Sequence, residues 1–341
     1  MPEDSSKRRQ AKEFFVLDQF TLGDIRKWLS LRDEILRMHW AFYGHLAYRR
    51  SKIVDKLKAA LLEAAEKDHR FERYQRVVLY RYSREPLAVE GSLIDPGGRF
   101  NIGDIDPRNY PFFPALYVAE DKETAIQEAL CVAKEVDDPT SDLDFAMARR
   151  ESIVVVSISG RLESVINLNN ASRLSSFVEL IKGFDLPKEV LRTSMKYKIP
   201  LEVVRTVDGL VKALLNPNWR EWPMQFDVPA TPQIFGQLVV DAGIEGIVYP
   251  STHNKKSCLA VYPQNFRDTE SYVELDDRPP HQVRFRRLDA STWRDVACAE
   301  VPAVSIEELR TLFPRSAIRE LIAKIRSLRL VKHLFGTRSD N

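Results

Sequence analysis

Short β-prone runs alternate with helical stretches along this chain, and no regular strand–helix–strand repeat links them. Val77–Tyr82 switches to a period of two, the spacing of a half-buried strand. Ala115–Ala119, Ile153–Ile158, Val165–Leu168, Gly246–Tyr249, Ser257–Tyr262 and Gln282–Arg287 read as further strands. Without a repeating βαβ unit, such a set predicts an α+β fold rather than a doubly wound parallel sheet.

Helices flank and interrupt these strands. Thr21 is placed to cap a helical region reaching to about His69, with Ile25, Trp28, Leu29, Ile35, Leu36 and Met38 at helical spacing and a break near Gly44. Ile53, Val54, Leu57, Leu61 and Leu62 continue the pattern. Asp121 caps a helix from Lys122 to about Val136, and residues 172–215 read as helical with interruptions at Pro187 and Pro200. Thr231-Pro232 opens a helix that Gly243 closes. A last helix, from Ser305 or Pro314 to about Leu334, is made basic by Arg315, Arg319, Lys324, Arg326, Arg329 and Lys332, with Ile322, Ile325 and Leu328 as its apolar stripe. The expected division is a helical N-terminal extension over 1–75, a strand-bearing domain over 76–290, and a basic helical segment over 291–341.

The bulk numbers exclude several classes. A chain of 341 residues buries a sizeable core. With 51 basic and 49 acidic residues and a net charge of +2, it is not built as a dedicated nucleic-acid binder. Cys131, Cys258 and Cys298 stand apart without CxxC spacing, so no disulfide framework or zinc site is expected, and a reducing cytoplasmic setting fits. No apolar run approaches the ~18 residues of a membrane span, and the polar first residues do not form a secretory signal.

The residues with chemical potential cluster around Asp95-Pro96-Gly97-Gly98-Arg99-Phe100-Asn101. The two glycines permit a tight turn and a close ligand approach. Arg81 ends a strand and Arg99 follows the turn; two guanidinium forks converging from strand and loop suit a pyrophosphate, the plainer alternative being two surface ion pairs. Tyr117 lies in an apolar strand, as a core ring or as a stacking surface for a planar ligand. Glu128 sits mid-helix among Ala125, Ile126, Ala129 and Leu130, either on a solvated face or as a desolvated functional carboxylate. Ser251 follows Tyr249-Pro250 without a Gly-x-Ser-x-Gly elbow, and His253 beside it has no evident orienting carboxylate, so a Ser-His-Asp triad is not expected. Neither a P-loop nor a Gly-x-Gly-x-x-Gly fingerprint occurs, and the histidines show no metal spacing.

Taken in order, Tyr80-Arg81, Gly98-Arg99-Phe100-Asn101, Tyr117 with Glu128, and Gly246-Ile247-Val248-Tyr249-Pro250-Ser251 resemble the RES domain, the toxin half of RES–Xre toxin–antitoxin systems. The resemblance spans roughly residues 77 to 275. Phe100 replaces the usual tryptophan, and the long interval from Glu128 to Ser251 implies insertions near 136–150 and 172–225. The resemblance implies an ADP-ribosyltransferase-like, split β-sheet core that binds NAD+ as a substrate in a cleft and needs no metal. It implies an NAD-consuming enzyme, a glycohydrolase or phosphorylase, or a transferase passing ADP-ribose to a protein or nucleotide.

On that basis Glu128, Arg81 and Ser251 are the expected catalytic residues. Glu128 stabilises an oxocarbenium-like sugar, while Arg81 and Arg99 hold the pyrophosphate. Tyr117 confines the nicotinamide and Ser251 orients ribose or nicotinamide. Tyr82 and Asn101 complete the expected NAD contacts, although the first also reads as strand packing and the second as a turn residue. An Xre-type antitoxin is the implied partner, with self-association through the N-terminal helices as a further expectation. A non-catalytic binding module working through its basic helices is the alternative from another class.

Overall fold

The computed structural model describes residues 22–130, 153–199, 201, 203–277, 283 and 285–297. The expected cap at Thr21, the segment 131–152, Cys298 and the basic C-terminal helix lie outside the described residues. The chain divides into two compact units, Met1–Val54 with Gly183–Val203, and Asp55–Lys182 with Val204–Asn341.

In the first unit, helix α1 (Leu22–Ser51) runs without interruption through Gly44. The predicted break does not occur, because one interior glycine costs only about 1 kcal/mol and the turns on either side continue the ladder. A helix over Lys188–Tyr197 packs on α1, and Pro187 stands at its N-terminal boundary. Met38, Phe42 and Val190 form their buried seam, with Tyr43, Leu46, Leu186 and Ile199 packed against it. Lys196 pairs with Glu34 at 3.0 Å, and the Tyr197 hydroxyl donates to the same carboxylate.

In the second unit, helix α2 (Val54–Ala64) buries Leu57, Ala60, Leu61 and Ala64. Strand β1 (Glu66–Leu79) follows at once. The helical reading to His69 is thus corrected, and so is the start of the strand at Val77. Charged residues fill the first half of β1 and hide its period. Pairing with β3 along its whole length, from Glu66 opposite Val165 to Leu79 opposite Ile153, imposes the extended form.

The remaining strands are β2 (Leu116–Ala119), β3 (Ile153–Asn167), β4 (Gly246–Pro250), β5 (Ser257–Val261), β6 (Tyr272–Leu275) and β7 (Arg287–Asp289). Their order is β1-β2-β5-β4-β3-β6-β7, with an additional β1–β3 pairing. Among the described strands only β3 and β4 run parallel. With helices on a largely antiparallel sheet, the α+β class holds. β3 is one strand where two were expected. The expected first strand ends at Ile158, yet Gly160 and Arg161 beyond it pair with both β1 and β6, and Ser159 with β6. Glycine is needed there, since a Cβ at position 160 would lie 2.5 Å from the Tyr272 carbonyl.

Phe71, Leu116, Ile158, Leu162, Leu259 and Val273 centre the core of this unit, each such side chain contributing about 1.5–3 kcal/mol by leaving water. Helix α3 (Lys122–Leu130) follows β2. Asp121 caps it, accepting the Thr124 amide at 2.9 Å. The helix Thr231–Asp241 forms as expected, although Ala230 occupies the cap and Gln233 supplies the hydrogen bond back to it. No helix among the described residues is long and apolar enough to cross a membrane.

Candidate active site

The glycine turn is fixed from behind, which leaves its front to a ligand. Gly97 has φ +91°, and a Cβ there would lie 2.5 Å from the Gly103 nitrogen. The Asn101 side chain is fully buried: Oδ1 accepts the Gly98 amide at 2.9 Å, and Nδ2 donates to the carbonyls of Ser92 and Phe113 at 2.7 and 3.1 Å. Gln233, also fully buried, donates from Nε2 to the carbonyls of Pro96, Gly98 and Asn101 at 2.7, 3.2 and 3.0 Å. The Tyr262 hydroxyl donates to the Phe100 carbonyl at 2.8 Å. Phe100 is buried edge-on against Tyr249 with ring centroids 4.9 Å apart. Asn101 is therefore spent on the turn, and it does not line the cleft as an NAD contact would.

Tyr117, on β2, closes the turn from the other side. Its hydroxyl accepts the Phe100 amide and donates to Asn101 Oδ1, both at 2.9 Å. Gly98 makes room for the ring, since a Cβ there would lie 2.5 Å from the hydroxyl. Burial pushes the phenol well above its ordinary range, so it stays neutral. With the hydroxyl committed, the ring is what Tyr117 offers a ligand.

In front of this wall lies a cleft of about 440 Å³, lined by Gln75–Leu79 of β1, Tyr82, Gly97–Arg99, Tyr117, Glu128 and the segment Trp219-Arg220. That is the size range of small-molecule sites. Arg99 is only 9% exposed. Its Nη1 donates to the carbonyls of Asn216 and Leu214 at 2.7 and 3.4 Å, and its guanidinium packs on the Trp219 ring, 5.8 Å from the centroid. No described residue accepts from its Nε or Nη2.

Glu128 reaches the cleft from α3, nearly two turns beyond its Asp121 cap. Ser251, fully buried at the end of β4, donates its hydroxyl to Glu128 Oε1 at 2.6 Å. The same Ser251 oxygen accepts the His253 amide at 3.2 Å. Asn254 ties this loop to α3 through Thr124 Oγ1 at 2.8 Å. The serine proton therefore goes to a carboxylate, not to an imidazole as in a hydrolase triad. Ser251 is also not part of the cleft lining, so its place is behind Glu128 rather than against a sugar.

Arg81 does not end the strand as expected. β1 stops at Leu79, and Tyr80–Tyr82 form a 3-10 turn beyond it, with Tyr82 reaching the cleft. The structure thus gathers Arg99, Tyr117, Glu128 and Tyr82 at one cleft, with Asn101 and Ser251 supporting it. Four more residues bear on the site that nothing in the local pattern marks: Arg76, Trp219, Arg220 and Gln233. Arg76 lines the cleft but donates through Nη2 and Nη1 to the carbonyls of Ala88 and Tyr117, at 2.7 and 3.4 Å. Burial lowers its pKa to about 10, opposed by Glu90 nearby. Among the described residues no cluster of histidine, cysteine or acidic side chains could hold a metal ion.

Residues 73–287, which include every one of these cleft residues, match the family model described as the RES domain. The chain belongs to the RES-domain family. This RES domain is also similar to a solved structure from M. tuberculosis, the MbcT–MbcA toxin–antitoxin complex, at 14% identity and a TM-score of 0.38, covering 71% of this chain and 97% of that one. No curated protein sequence matches it. Within the matched residues, Glu128 and Ser251 are joined by a direct hydrogen bond.

Proposed function

We propose that the cleft binds NAD+ and breaks its nicotinamide–ribose bond. The observation that carries this reading is the Glu128 carboxylate in the cleft wall, held by the buried Ser251 hydroxyl, with the ring of Tyr117 and the guanidinium of Arg99 in the same cleft. Departure of nicotinamide leaves positive charge on the ribose ring and its oxygen, and a preorganised carboxylate stabilises that charge as it develops. Glu128 takes this role and Ser251 fixes its orientation. Nicotinamide leaves as a neutral base, so the step needs no Lewis acid. Arg99 holds the pyrophosphate through Nε and Nη2, Arg81 shares that task from the turn after β1, and Tyr117 and Tyr82 confine the nicotinamide.

The NAD-binding core in this reading is the split one of ADP-ribosyltransferase-like folds, with β1 and β3 on one side and β2, β5 and β4 on the other. Gln75 opposite Ala119 is the single pair between β1 and β2, and both strands line the cleft. The chain acts as an intracellular toxin, restrained by an Xre-type antitoxin that covers the cleft.

Purified protein mixed with NAD+, with and without inorganic phosphate, is expected to release nicotinamide. Glu128→Gln is expected to keep the fold and lose at least about a hundredfold in turnover. Label passing from NAD+ to a macromolecule would assign the chain to the transferases. Absence of nicotinamide release and of label transfer under every condition would overturn the reading.

A further inference from the structure

Pro217, Trp219 and Arg220 form a wall of the cleft outside the motifs named above. Trp219 is its centre, 6% exposed and carrying two cations: the Arg99 guanidinium 5.8 Å and the Arg220 guanidinium 5.1 Å from its ring centroid. Both distances fall within cation–π range, so the indole holds each planar group in place. The two arginines differ in what else they touch. Arg99 is anchored by two backbone carbonyls. Arg220 makes no hydrogen bond or ion pair among the described residues, and its Nε is buried without an acceptor while the side chain lines the cleft.

A buried donor without an acceptor is costly, and two guanidinium groups on one ring repel each other in a partly dehydrated wall. One anionic ligand group between them removes both penalties. Arg76, the third arginine of the cleft, also buries its Nε without an acceptor, but it differs from Arg220 in that both of its Nη atoms are spent on carbonyls. Bidentate recognition of a phosphate is what a rigid guanidinium fork supplies.

We propose that Arg220, held on Trp219, is a further phosphate-binding residue of this cleft, gripping the ligand's phosphate together with Nε and Nη2 of Arg99. The inference rests on the NAD+ reading for the identity of the ligand, but not for the chemistry of the site. It places a specificity-determining residue on the segment inserted between Glu128 and Ser251.

The test is calorimetric titration of the full chain with ADP, with inorganic phosphate and with nicotinamide riboside, for wild type, Arg220→Gln and Arg220→Lys. Glutamine keeps much of the stem on the indole and removes the charge; lysine keeps the charge without the fork. ADP affinity is expected to fall about ten- to hundredfold in Arg220→Gln and to be partly restored in Arg220→Lys, with nicotinamide riboside affinity unchanged. A loss confined to inorganic phosphate would assign the site to a free phosphate instead of the dinucleotide, and would still support phosphate binding. ADP affinity within twofold of wild type, with phosphate affinity also unchanged, would overturn the proposal, as would an equal loss for nicotinamide riboside. Failure of NAD+ turnover in the wild type, with Arg220-dependent ADP binding retained, would overturn the functional reading alone.

Discussion

Ser251 and Glu128, 123 residues apart in sequence, meet in a 2.6 Å hydrogen bond that the serine donates. The buried hydroxyl fixes one oxygen of a carboxyl group that lines the cleft. Ser251→Ala is expected to lower kcat for nicotinamide release about ten- to hundredfold, the worth of one hydrogen bond to a charged group. KM should change little, because Ser251 does not line the cleft. Steady-state kinetics reads the split, and a rise in KM at unchanged kcat would place the hydroxyl against the substrate instead.

Gln233 is expected to matter more to the fold than its polar side chain implies. It is fully buried and serves three carbonyls of the glycine turn as well as the Ala230 amide. Gln233→Leu removes a hydrogen-bond partner from each of those groups, with Pro96 and Gly98 keeping the Gly103 and Asn101 amides, at a cost of about 2–4 kcal/mol in unfolding free energy. Urea denaturation measures it; an unchanged midpoint would mean that solvent replaces the amide.

Gly98→Ala forces the Tyr117 ring aside, since the new Cβ would lie 2.5 Å from its hydroxyl and 2.6 Å from two ring carbons. Moving the ring breaks the bonds to the Phe100 amide and Asn101. A loss of about 1–3 kcal/mol is expected, with nicotinamide release falling alongside. Thermal unfolding and turnover measured on the same preparation test the coupling.

Acid is expected to loosen the α1 unit through His39. Burial lowers this imidazole from the ordinary 6.5 to about 4, so the folded state holds it neutral while the unfolded chain protonates. Stability from this group is present above pH 6.5 and lost as the pH falls toward 4, by up to about 3 kcal/mol. Hydrogen exchange of α1 between those pH values should show the slope, and His39→Leu should flatten it. The same slope in that variant would assign the effect to other groups.

Local patterns disclosed what depends on neighbours in sequence. The Gly97-Gly98 turn, the strand carrying Tyr117, the Asp121 cap that aims α3, and the helix opened by Thr231-Pro232 are all set within a few residues. Pairing over long distances stayed hidden. β1 begins at Glu66 because β3 pairs with it, although its charged residues show no strand period. Gly160 looks like a break and is a close crossing with β6. The anchoring of Arg99 on Leu214 and Asn216, 115 and 117 residues away, has no local trace. For the same reason nothing near Trp219, Arg220 or Gln233 marks them as neighbours of the turn.

The separation between Glu128 and its serine donor sets an order in time. Domains fold as their residues emerge, at about 5–20 residues per second, so the 123 residues between the two take roughly 6 to 25 s to synthesise. During that interval the chain owns its carboxylate but not the hydroxyl that orients it, nor the strands β4 and β5 that flank it. A chain still short of Ser251 therefore carries Glu128 without its hydrogen-bond donor, and the cleft reaches its final geometry only after the last of its wall has been made.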